Sequence, residues 1–78
     1  MNYYANDIRF EPINIDEVMV QHVTDKALKC ENPEGDEFWI PKSQIHRESE
    51  ITEKSKKGDT GILVIPRWLA IEKGLVDE

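Results

Sequence analysis

The segment Asn32-Pro33-Glu34-Gly35 constrains this chain more than any other. It puts asparagine first, proline second and glycine fourth in a type I turn, and each suits its place for a separate reason. Asparagine bonds back to the backbone, proline presets φ, and glycine accepts φ > 0. With Gly35 as the bulge residue, the segment closes a three-residue hairpin loop. The hairpin then sets Asn32 against Asp36, Glu31 against Glu37, Cys30 against Phe38, Lys29 against Trp39, and Leu28 against Ile40. One face carries Leu28, Cys30, Phe38 and Ile40, and the other carries Lys29, Glu31, Glu37 and Trp39. A one-residue slip would scatter the apolar set across both faces, so the pattern itself supports this register.

The flanking segments extend the β reading. Glu17 to Val23 is β-rich, with Val18 and Val20 on one face. Val23 breaks the alternation, which predicts a bulge near Gln21-His22. Thr24-Asp25 turns the chain, and Lys26 to Glu31 resumes the strand. Pro41 lacks a backbone donor, so Pro41 to Ile45 is expected as a tight or 3₁₀ turn that inserts Ile45 into the core. Ser43 is expected to bond the turn backbone. His46 to Glu53 carries one large apolar residue, Ile51, and suits an exposed edge strand, with a short helix as second choice. Thr60 to Ile65 is apolar on both faces and reads as the central strand. Pro66 to Lys73 reads as a short helix, with Pro66 in its first turn, Gly74 just past its end and Leu75 closing back on it. The expected fold is therefore mostly β with one short C-terminal helix, a small curled sheet or partly open barrel of the SH3-like or OB-like kind. Residues 1–16 form an N-terminal arm or edge strand, and residues 17–78 form the small β domain.

A chain of 78 residues is one domain. It buries roughly 60–65% of its unfolded surface, so its core is thin and gains from a partner or a second copy, such as a homodimer. The net charge of −6 repels phosphate backbones and disfavours nucleic acid, except at a local basic patch. It suits a basic protein surface. Cys30 stands alone, so it forms no internal disulfide, and it reads as a small buried apolar residue in a reducing cytoplasm. Met1 to Asp7 lacks the pattern of a signal peptide, and Ile62 to Ile65 is too short to span a bilayer, so no membrane role is expected.

Catalytic chemistry is not legible. His22 and His46 have no further ligands at metal spacing. Ser43 and His46 lie three apart without an orienting third group. Gly58-Asp59-Thr60-Gly61 is acidic and lacks the ending of a phosphate loop. The carboxylates are spread singly. No enzyme activity, cofactor or metal is expected.

Trp39 is the residue that points to binding. The hairpin register turns it away from the first core. Either the N-terminal arm covers it, through Tyr3, Tyr4 or Phe10, or it is an exposed aromatic anchor flanked by Lys29, Glu37, Pro41 and Lys42. Lys42, His46 and Arg47 beside it would make a mixed aromatic and basic surface on which a base could stack. Trp68 lies on the docking stripe of the helix and is expected in the core. Lys54, Lys56 and Lys57 form a small basic tip.

Three segments carry a resemblance. They are Thr24 to Leu28, Phe38-Trp39-Ile40-Pro41-Lys42-Ser43-Gln44-Ile45, and Gly58 to Leu75 with its Ile65-Pro66-Arg67-Trp68-Leu69-Ala70 run. In these the chain resembles a group of small bacteriophage and prophage proteins of unassigned function. The likeness covers most of residues 17–75 and brings no catalytic residues with it. It implies a phage-type binding protein in the host cytoplasm. The first role is a counter-defence inhibitor, similar to anti-CRISPR proteins, that presents its acidic surface to a host protein complex. The alternatives are a module for single-stranded nucleic acid or a nucleotide ligand, and an accessory protein of phage replication or recombination.

Overall fold

Leu28, Cys30, Phe38 and Ile40 point into one core, and all are buried. The pairs Glu31–Glu37, Cys30–Phe38, Lys29–Trp39 and Leu28–Ile40 form as the turn requires. Asn32 accepts from Asp36 N–H through Oδ1 at 2.9 Å, and Gly35 takes φ 89°. A computed structural model describes residues 8–77. Its strands are β1 (Pro12–Val23), β2 (Ala27–Glu31), β3 (Glu37–Pro41) and β4 (Thr60–Pro66), followed by the helix α1 (Arg67–Glu72). They make one antiparallel sheet in the order β3-β2-β1-β4. The sheet stays open, so the protein is mostly β with one short C-terminal helix.

β1 crosses the boundary expected between residues 16 and 17, and residues 12–16 belong to the sheet. Its inward residues Ile13, Ile15, Val18, Val20 and Val23 do not alternate strictly, because two bulges interrupt the pairing. One lies between Val20 and His22, where the break at Val23 places it. The other lies between Ile15 and Val18, where Asp16 and Glu17 face β4 and Glu17 adopts φ 54°. Each extra residue returns the next valine to the core and bends the strand, which curls the sheet.

Three expectations need correction. Thr60 to Ile65 does not lie at the centre of the sheet; β4 is at its margin. Residues 46–53 form neither an edge strand nor a helix; they run as bends and turns. This segment nevertheless does the work of a strand. His46 N–H bonds Val64 O at 2.8 Å, and Glu50 N–H bonds Ile62 O at 2.9 Å. The buried Ser49 hydroxyl donates to Ile62 O at 3.2 Å and accepts from Val64 N–H at 3.0 Å. A lone apolar residue does not pack a whole strand, but Ile51, fully buried, pins this loop against the margin of the sheet. Finally, no hydrogen bond of Ser43 holds the 3₁₀ turn Lys42–Gln44 among the described residues; Ile45 N–H bonds Lys42 O at 3.3 Å, and Ile45 packs against the core.

α1 is too short to be stable alone and holds by docking. Leu69 and Ala70 are buried, and Trp68 and Leu75 pack against the core. Past its end, Leu75 N–H bonds Ala70 O and Gly74 N–H bonds Ile71 O, with Gly74 at φ 73°. This is a Schellman cap, and Gly74 is the residue that makes it possible.

Candidate binding faces

The strands that bury Phe38 and Ile40 turn Trp39 to the opposite side by their period of two. There it is 41% exposed, as is Met19. The registers of β1, β2 and β3 set two rows across the outer face, one of Met19, Glu31 and Glu37, the other of His22, Lys29 and Trp39. The bulge at Gln21 brings Gln21 and His22 to this side together. Each row is tied internally or to its neighbour. The Trp39 and His22 rings meet edge to face at 6.1 Å and 88°. Lys29 Nζ lies 3.4 Å from Glu37 Oε1. Gln21 Nε2 donates to Glu31 Oε1 at 2.6 Å. Phe10, one candidate cover for Trp39, packs elsewhere, in a groove with Arg9, Gln44 and Trp68 by the helix. Tyr3 and Tyr4 lie outside the described residues.

Toward β4 the same side becomes acidic. Asp16, Glu17 and Glu50 surround a groove floored by Met19, Thr60, Gly61 and Ile62. The bulge that strains Glu17 turns Asp16 and Glu17 outward, and the loop after the 3₁₀ turn brings Glu50 to them. Among the described residues no group of three or more His, Cys, Asp or Glu side chains is arranged to hold a metal ion.

Lys42, His46, Arg47 and Lys54 gather apart from Trp39. Lys42, Ser43, His46, Arg47, Thr52 and Lys54 line a shallow cleft of about 470 Å³, together with Ile45 and Glu53. Trp39 is not among them, so the mixed aromatic and basic surface expected from sequence divides into two separate sites. His46 Nδ1 accepts from Glu48 N–H at 3.1 Å, which leaves Nε2 to carry the proton of the neutral ring. Ser43 and His46 share the cleft, but no hydrogen bond joins them among the described residues. The cleft offers hydroxyl, guanidinium and ammonium donors to an anion.

Cys30 sits under the hairpin, and burial pushes its thiol up from 9.0 to about 11. It remains a protonated, inert thiol at neutral pH. Among the described residues no helix is long and apolar enough to cross a membrane.

Sequence reasoning missed Met19, His22 and Glu50. The first two had a signal, because extending the hairpin register by one strand places both on the outer face with Trp39. Glu50 had none, since only the tertiary path of its loop brings it to β4. No known protein family, curated protein or solved structure matches the chain.

Proposed function

We propose that this chain is a non-enzymatic binding protein that engages a protein partner through the outer face of its sheet. The observation that carries the reading is Trp39, exposed on a regular strand and steadied by the His22 ring. A solvent-facing tryptophan on a rigid element offers large contact area at low entropy cost. Met19 is a second exposed apolar residue on this face, two strands from Trp39, and it lines a groove with Asp16, Glu17 and Glu50. Those carboxylates and the net charge of −6 favour a basic partner. The resemblance to small phage proteins directs the reading to a host protein complex in the cytoplasm. A counter-defence inhibitor of the anti-CRISPR kind, occupying a basic nucleic-acid-binding surface, is the role these features suit best. The test is affinity capture from bacterial lysate, comparing the chain with Trp39→Ala. A stoichiometric basic partner, released by salt and lost with Trp39→Ala, is expected. Equal capture by both proteins would count against this face.

A second reading rests on the basic cleft. Lys42, Arg47 and Lys54 concentrate positive charge in an acidic chain, which suits a nucleotide or a short single strand. Chemical shifts of cleft residues during titration with a nucleotide or oligonucleotide test it. Movement abolished by Arg47→Ala supports the reading, and no movement at low salt removes it.

A further inference from the structure

The two margins of the sheet are treated differently. Ser49, Glu50 and their loop satisfy the outward backbone groups of β4. Among the described residues nothing comparable covers β3, at which the sheet ends. Asn32 N–H bonds Asp36 O and Lys42 N–H bonds Lys26 O. These bonds set the alternation along β3, so residues 38 and 40 bond toward β2. Glu37 and Trp39 turn their N–H and C=O groups away from the sheet, and among the described residues neither group has a partner there. Pro41, next in the outward set, has no donor to lose, which is why proline is tolerated at this margin.

We infer that the β3 edge pairs with β3 of a second copy of this chain, antiparallel and centred on Trp39. The sequence of the edge is self-complementary in that register. Trp39 N–H and C=O bond those of the second copy's Trp39 reciprocally. Glu37 N–H bonds Pro41 C=O at each end, so the donor that proline lacks is missed only opposite Glu37 C=O. Phe38 faces Ile40 on the apolar side. Just past the strand at each end, Asp36 comes opposite Lys42 at the start of its 3₁₀ turn, which brings opposite charges near one another across the junction. Centring the pair on Phe38 instead would set Asp36 against Ile40 and lose that charge match. The paired sheets form one continuous face with two adjacent Trp39 rings at its middle. The inference does not rest on the identity of any other partner.

Sedimentation equilibrium on the full chain from micromolar to millimolar concentration tests it. A monomer–dimer equilibrium is expected. Asp36→Lys sets lysine against lysine and should weaken dimerisation at least tenfold, and the charge exchange Asp36→Lys/Lys42→Asp should restore it. Trp39→Cys should cross-link to itself under mild oxidation, because cross-strand partners lie within disulfide reach. The wild type should not cross-link, because Cys30 is buried. A monomer at every concentration overturns the inference, as does a dimer indifferent to Asp36→Lys. Dimerisation that appears only after residues 1–7 are removed also overturns it, since the edge would then belong to the chain's own N-terminal segment.

Discussion

Glu50 folds its side chain over Gly61. A Cβ added at Gly61 would lie 3.0 Å from both Glu50 Cβ and Glu50 Oε1. The carboxylate reaches past the glycine to accept from Ile62 N–H at 2.8 Å. A side chain thereby completes the margin of a sheet that has no further strand beyond β4 among the described residues, and glycine leaves the room for it. Gly61→Ala should therefore destabilise the fold by about 1–2 kcal/mol. Glu50→Ala should cost about 1 kcal/mol. The two should be non-additive, because each disrupts the same contact. Urea denaturation of the single and double variants measures the coupling, and strict additivity would refute the shared contact.

Ser49 serves the same margin through one hydroxyl that both donates and accepts. Ser49→Ala leaves Val64 N–H without this acceptor at a buried site and should cost about 1–3 kcal/mol. Hydrogen exchange should show the Val64 amide losing protection beyond the global loss. Unchanged exchange there would remove the hydroxyl from this role.

Glu17 pays for the first bulge with its left-handed backbone at φ 54°. Glu17→Gly relieves that strain and should stabilise by up to about 1 kcal/mol, whereas Glu17→Val should destabilise by about 1–2 kcal/mol. Thermal melts rank the three proteins, with about 4–8 °C expected per kcal/mol for a domain this small. A valine variant as stable as wild type would contradict the strained geometry.

Cys30 links stability to alkaline pH. Its thiol titrates near 11 when folded and near 9.0 when free. Below 9 both states hold the proton, and the contribution is fully present. Between about 9 and 11 the unfolded chain releases the proton first, so stability falls as pH rises through this window. The full difference corresponds to about 2–3 kcal/mol. Cys30→Ala should flatten the alkaline slope while lowering stability at neutral pH through lost packing. An equal slope in both proteins would assign the effect to other groups.

Phe38 and Trp39 are neighbours with opposite duties. Phe38→Ala should cost about 3–5 kcal/mol, as a buried ring does. Trp39→Ala loses mainly its contact with His22 and should cost no more than about 1.5 kcal/mol. Chemical denaturation compares them directly. A Trp39→Ala cost equal to that of Phe38→Ala would make Trp39 a core residue.

The hairpin and the helix were legible from residues alone because their determinants are local. The turn chemistry of Asn32 to Gly35 sets the register of the residues on either side of it, from Glu31 against Glu37 to Ala27 against Pro41, and Gly74 makes the helix cap with its immediate neighbours. The outward side of Trp39 follows from that register, as does the inward side of Cys30. The bulge at Gln21 was visible in the spacing of valines. The bulge at Glu17 was not, because residues before it read as a separate arm until β4 arrives from the far end of the chain to pair with them. The same distance hid the work of Ser49, Glu50 and Ile51. Their segment has no strand period, and its bonds to β4 run to residues 11 to 18 positions away. The sorting of Trp39 and the cations into separate sites was likewise a tertiary decision. Trp39 and Lys42 are close in sequence, but the 3₁₀ turn after Pro41 sends Lys42 into the cleft with Arg47 and Lys54 while the strand holds Trp39 on the open face. Local chemistry determined which side each hairpin residue takes; only long-range packing decided which margin of the sheet is closed and which, among the described residues, is left open.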